Sequence, residues 1–131
     1  MNDRAKPRIL IVEDDADLRT ILRIQLTDSG FEIFEAVNGQ EGFVQVQELE
    51  PDCVVLDLMM PVLDGFGFLK RVRSLAAYES LPVLMLTASE DERHRTRSFQ
   101  FQADAYMSKP YDLEALTDQV HELLFVPAAG A

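Results

Sequence analysis

Short apolar runs alternate with stretches of helical period along this chain. RILIVED (8–14), DCVVLD (52–57) and PVLMLTA (82–88) are nearly continuous apolar runs that end in polar residues. FEIFEA (31–36) alternates apolar with acidic residues, the period of a strand with one wetter face, and DAYMSK (104–109) reads as a short fifth strand. Between these runs the period changes. Segment 15–30 places Leu18, Ile21, Leu22 and Leu26 on one helical face and stops at Gly30. Segment 38–50 opens on Asn38 with Glu41 following as in a capping box, and Ser89 and Glu92 open 89–101 in the same way. Segment 64–75 supplies Phe68, Leu69 and Val72 as an apolar stripe, although two glycines weaken its first turn. Segment 112–125 is amphipathic, capped by Asp112, with Leu113, Leu116, Val120, Leu123 and Leu124 inside. Five strand–helix units of this kind predict a doubly wound α/β fold, a five-stranded parallel sheet covered by helices on both faces.

Composition narrows the function more than the fold. The 131 residues suit one domain, expected over 1–125, with VPAAGA (126–131) as a tail or the root of a linker. A formal charge of −11 argues against nucleic-acid binding by this chain and suits cations or a basic partner surface. The single cysteine, Cys53, starts an apolar run and reads as a small core residue. MNDRAKPR lacks the apolar core of a signal peptide and no 18-residue apolar run occurs, so a cytoplasmic protein without membrane contact is expected.

In doubly wound sheets, ligands bind outside the carboxyl ends of the strands, near the point where strand order reverses. There the chain places Glu13, Asp14 and Asp15 after the first run and Asp57 at the end of the third. Thr87 and Ala88 close the fourth, and Lys109 and Pro110 follow the fifth. Glu35, near the end of the second, reads as a solvated acid on an alternating edge strand. Taken singly, the others also have bland readings: Asp15 as an N-cap with Asp17 in the first turn, Thr87 as a loop residue, Lys109 as a surface lysine. Their coincidence at four strand ends is harder to explain that way. At roughly 5 Å and an effective dielectric near 20, each pair of ionised carboxylates costs about 3 kcal/mol. Stability gives no reason to assemble such a cluster, whereas a hard divalent cation such as Mg²⁺ takes oxygen ligands of this kind. With Lys109 to meet an anion and Thr87 to donate a hydroxyl, the set reads as a phosphoryl-transfer site in which one carboxylate can be the nucleophile.

The motifs ILIVEDD (9–15), VVLDLMMPVLDG (54–65), PVLMLTA (82–88) and ADAYMSKP (103–110), in that order, resemble the receiver domain of bacterial response regulators. The resemblance covers nearly the whole chain. It implies a flavodoxin-like, chemotaxis-regulator-like sheet of order 2-1-3-4-5 with five helices. It also implies that Asp57 is the phosphoacceptor, taking a phosphoryl group from a histidine kinase or histidine phosphotransfer protein. Asp14 would be a direct ligand of Mg²⁺ (or Mn²⁺), Glu13 the second acid, and Met59 the donor of a backbone carbonyl. Lys109 would pair with the phosphoryl oxygens, Thr87 would donate its hydroxyl, and Ala88 would leave room for the group. Tyr106 matches the aromatic switch that moves inward with Thr87. This would reshape the face of the fourth and fifth helices and fifth strand for a downstream output domain or target. Lys109-Pro110 is expected to be cis. Such a protein catalyses its own phosphorylation and dephosphorylation without being a turnover enzyme.

Several residues depart from the family pattern. Gln102 stands where glycine is usual, and must either accept a left-handed conformation at about 1 kcal/mol or reshape its turn. Ala105, Ala115 and Gln119 cannot supply the ion-pair network by which winged-helix regulators dimerise, although phosphorylation-linked dimerisation by other contacts stays open. The resemblance also implies that Met59 and Ser89 would flank the water route to the phosphoryl group. Aspartate-nucleophile phosphatases would need a second aspartate at Met59. A flavodoxin-like binder would need a hydroxyl-rich loop where three acids stand. A degenerate receiver acting only as a protein-binding module is opposed by the complete acid, threonine and lysine set. Arg93, His94, Arg95 and Arg97 read as a solvated charged face.

Overall fold

The computed structural model describes residues 5–88, 92–108 and 112–125. Five strands, β1 (Arg8–Val12), β2 (Glu32–Ala36), β3 (Cys53–Asp57), β4 (Val83–Thr87) and β5 (Ala105–Ser108), form one parallel sheet in the order β2-β1-β3-β4-β5. Five helices connect and cover them: α1 (Ala16–Asp28), α2 (Gly39–Leu49), α3 (Gly65–Arg73), α4 (Glu92–Gln100) and α5 (Leu113–Phe125). A 3-10 turn, Ala76–Tyr78, which the apolar pattern did not announce, follows α3.

Burial on both faces explains the unbroken apolar runs. Every residue of β3 and β4 is buried. On one face, Ile9, Ile11, Val55, Leu84 and Leu86 pack against Leu22 and Leu26 of α1 and Leu116 and Val120 of α5. On the other, Leu10, Val12, Val54, Leu56 and Met85 meet Val46 of α2 and Phe68, Leu69 and Val72 of α3. Cys53 lies in the first of these layers, and burial pushes its thiol pKa far up, as an inert core residue requires.

Side chains fix where the helices begin. Asp15 accepts from the amides of Asp17 and Leu18, Asn38 from Glu41, Asp64 from Gly67 and Asp112 from Glu114. The Glu41 carboxylate accepts from Gln45 one turn on. Ser89, expected to open α4, lies outside the described residues. Ile21 departs from expectation: it is exposed, because the sheet and α5 cover a stripe only as wide as Leu22 and Leu26. His94 departs the other way, being half-buried edge-on against Phe66, while Arg97 lies over the Phe66 and Phe101 rings.

Gln102 does take the left-handed conformation, at φ 70°. Its carbonyl then accepts from Nε and Nη2 of Arg73. The Arg73 side chain, 8% exposed, also donates to the carbonyls of Tyr78 and Leu81 and to Asp104, whose carboxylate holds the amide of Val83. One guanidinium thus ties the end of α3 to the entrances of β4 and β5. Burial lowers its pKa, and the Asp104 charge opposes that shift.

Candidate functional site

The sheet order makes β1 and β3 neighbours, and their carboxyl ends form the site. Val12 is in register with Leu56, so the next residue on each strand, Glu13 and Asp57, stand side by side. Carboxylate oxygens of Glu13, Asp14 and Asp57 all lie within 4.8 Å of one another. Glu13 and Asp57 are only 2% and 5% exposed, whereas Asp14 faces solvent. The Asp15 amide donates to Glu13 Oε2, so the cap that opens α1 also holds one of the acids.

Two buried carboxylates this close cannot both be comfortably ionised. Burial, followed by the charge of Asp57, pushes the Glu13 pKa up to about 8, and the Asp15 amide opposes the shift only in part. A metal-free site therefore relieves its repulsion by holding a proton on Glu13 at neutral pH. The donor set itself is hard oxygen, anionic and open on the Asp14 side, which fits a divalent cation such as Mg²⁺.

The turn after Asp57 is tightly determined. Leu58 donates to Leu86, and Gly65 donates back to Leu58, so the chain leaves β3 and returns within eight residues. A Cβ on Gly65 would approach Leu58 Cα to 2.9 Å and the Asp57 carbonyl oxygen to 3.0 Å, so only glycine lets α3 start against the end of β3. At the tip, Leu63 donates to Pro61 across Val62, whose φ of 71° makes this a strained γ-turn. The Gly39 amide donates to the Leu63 carbonyl, pinning the tip to the start of α2, and a side chain on Gly39 would collide with that oxygen.

The other expected residues are distributed as follows. Thr87 is fully buried at the end of β4, next to the β3 end, and Ala88 after it is exposed. Met59 is exposed just beyond Asp57. Tyr106 is half-buried on β5 against the α3-side core, in register with Met85. Lys109 and Pro110, with the peptide bond expected to be cis, lie outside the described residues. Ala105 is buried among the α5-side core residues. The reading of Glu35 as a solvated acid is corrected: it is partly buried and ion-paired with Arg19 at 3.4 Å and Arg23 at 3.4 Å, because α1 lies across this end of β2. An arginine five residues after Asp14, one helical turn into α1, was the available signal.

Comparison with known proteins decides the family. The response regulator receiver domain matches residues 9–121. The chain belongs to that family. Among curated relatives, the "DNA-binding dual master transcriptional regulator RpaA" of Synechocystis is 38% identical over 118 residues, covering 90% of this chain and 49% of that protein. The phosphate regulon regulator PhoB of Rhizobium meliloti is 36% identical, covering 90% of this chain and 52% of that protein. This receiver chain thus spans about half the length of the curated relatives it matches. The chemotaxis protein CheY4 of Vibrio cholerae superposes with a TM-score of 0.86 at 30% identity, covering 92% of this chain and all of that one. The five-stranded parallel sheet of order 2-1-3-4-5 is therefore both the observed topology and that of a solved receiver. Among the described residues no helix is long and apolar enough to cross a membrane.

Proposed function

We propose that this receiver domain is the phosphoacceptor of a two-component phosphorelay, with Asp57 as the residue phosphorylated. The observation that carries the proposal is the convergence of Glu13, Asp14 and Asp57 at the ends of neighbouring strands, with the Thr87 hydroxyl at the end of the next. Glu13, Asp14 and Asp57, with the Met59 carbonyl, would hold Mg²⁺. Once bound there, the cation supplies charge neutralisation for the phosphoryl oxygens.

A carboxylate oxygen of Asp57 attacks phosphorus in line with the P–N bond of a phosphohistidine on the kinase or phosphotransfer partner. That bond breaks, and its electron pair returns to the imidazole nitrogen. Burial of Asp57 fixes the attacking oxygen, and the glycine at 65 keeps the turn beside it compact. Lys109 pairs with the transferred oxygens, Thr87 donates its hydroxyl to one of them, and exposed Ala88 leaves them room. Movement of Thr87 toward the group vacates space that Tyr106 fills from β5, and the α4–β5–α5 face changes for an output domain or target. This is a population shift driven by one local charge event. The functional unit is residues 1–125, with 126–131 as a tail or the root of a linker.

Intact mass after incubation with Mg²⁺ and acetyl phosphate, beside an Asp57→Asn control, tests the assignment. One phosphoryl adduct, absent with EDTA and in the variant, is the expected result. A folded, metal-binding protein that takes no phosphoryl group from either acetyl phosphate or a phosphorylated histidine kinase would overturn it and leave a protein-binding module.

A further inference from the structure

The loop that carries Glu13 and Asp14 has to hold two acids beside a third, and the ladder bond from the Glu13 amide to the Ala36 carbonyl does not by itself fix the two peptide carbonyls that follow. The further hold comes from α1. Nη1 of Arg19 donates to the carbonyl of Glu13 at 2.8 Å and to that of Asp14 at 3.2 Å. Its Nε faces Glu35 Oε1 at 3.4 Å, and the other oxygen of that carboxylate faces Arg23. Glu35 pairs with Val12's neighbour on β1, Ile11, in the sheet register, so the anchor for Arg19 is itself part of the sheet. The Arg19 side chain is 17% exposed, against 45% for Arg23 one turn further along the same helix. A planar guanidinium suits this task, since one edge can serve the carbonyls while Nε serves a carboxylate.

We propose that Arg19 is a positioning residue for the cation site. It holds the two peptide carbonyls of the acid-bearing loop, oriented by Glu35, so that the Glu13 and Asp14 carboxylates stay aimed at Asp57. The proposal rests on the reading of this cluster as a cation site, and its sign separates it from simple electrostatics. Arg19 is a positive charge near the place where a cation binds. If charge alone mattered, its removal would tighten metal binding. If it positions the ligands, its removal weakens binding despite the lost repulsion.

Titration of the metal-free protein with Mn²⁺, followed by calorimetry or by the resonance of free Mn²⁺, reads this directly. Arg19→Met is expected to weaken binding about tenfold, in the range typical of residues that orient metal ligands. Arg19→Lys keeps the charge and loses the planar fork, and falls between wild type and Arg19→Met. Arg23→Met removes the other partner of Glu35 without touching the loop and binds Mn²⁺ as the wild type does. In the metal-free protein, hydrogen exchange at the Asp14 and Asp15 amides speeds up in Arg19→Met while β3 amides keep their protection, which a general loss of stability would not produce. Equal or tighter Mn²⁺ binding by both Arg19 variants would overturn the proposal. So would a wild type that binds no Mn²⁺, but that failure belongs to the cation-site reading and appears before any variant is made.

Discussion

Replacing Glu13 by glutamine should make the metal-free protein more stable, and the gain should depend on pH in a specific way. Folding pushes this acid from 4.5 up to about 8. Between those values the folded state keeps a proton that the unfolded chain has released, so wild-type stability falls as pH rises through that window and levels off above it. The full shift corresponds to at most about 5 kcal/mol. Desolvation by burial supplies the largest share of this, and repulsion by Asp57, whose carboxylate oxygen lies within 4.8 Å, the next. Water reaching the cluster from the exposed Asp14 side screens part of this, so about 2.5 kcal/mol is the expected plateau. For a chain of this length that is about 9 °C in melting temperature. Thermal melts of wild type and Glu13→Gln in EDTA, from pH 5 to pH 9.5, measure the gap. It should be small at pH 5, widen up to about pH 8 and stay constant beyond. Excess Mg²⁺ should close it, because the cation takes the place of the proton. A gap that is independent of pH, or that narrows as pH rises, would refute the electrostatic account of this cluster.

Three further outcomes follow from particular contacts. Asp57→Asn in EDTA at pH 8 should also raise the melting temperature, and Glu13→Gln should add less in that background than in wild type; strict additivity would mean that the two carboxylates do not interact. Val62→Gly should raise the urea midpoint by the equivalent of about 0.5–1 kcal/mol, since the exposed valine sits at φ 71° and glycine removes that strain at some entropic cost. A loss of stability would show that the γ-turn is held by packing rather than strained. Arg73→Met should cost about 3 kcal/mol in urea unfolding, because Asp104 and three carbonyls lose a buried cationic partner. A cost below about 1 kcal/mol would mean that water replaces the guanidinium at little expense.

The sequence alone determined the alternation of strands and helices, and with it the parallel sheet, because residues buried on both faces leave an unbroken apolar run that no amphipathic helix imitates. It also determined which acids merit attention. The aspartate that ends the apolar run 52–57 has a bland reading by itself, and its coincidence with acids, a threonine and a lysine at the other strand ends is what marked it out. Helix starts were local: Asp15, Asn38 and Asp112 reach amides two or three residues away. What only the tertiary structure decided depends on segments far apart in the chain. The exposure of Ile21 and half-burial of His94 follow from how wide a stripe each helix has covered and which neighbour covers it. The Arg73 hub and the Arg19–Glu35 pair each join elements whose spacing along the chain carries no periodic signal. The left-handed Val62 has no residue-type signature either, since a branched side chain disfavours the conformation that the turn requires. Glu13 and Asp57 show the division most clearly. Each was visible as an acid at a strand end, but their mutual repulsion exists only because β3 adds to β1 in a register that sets them side by side.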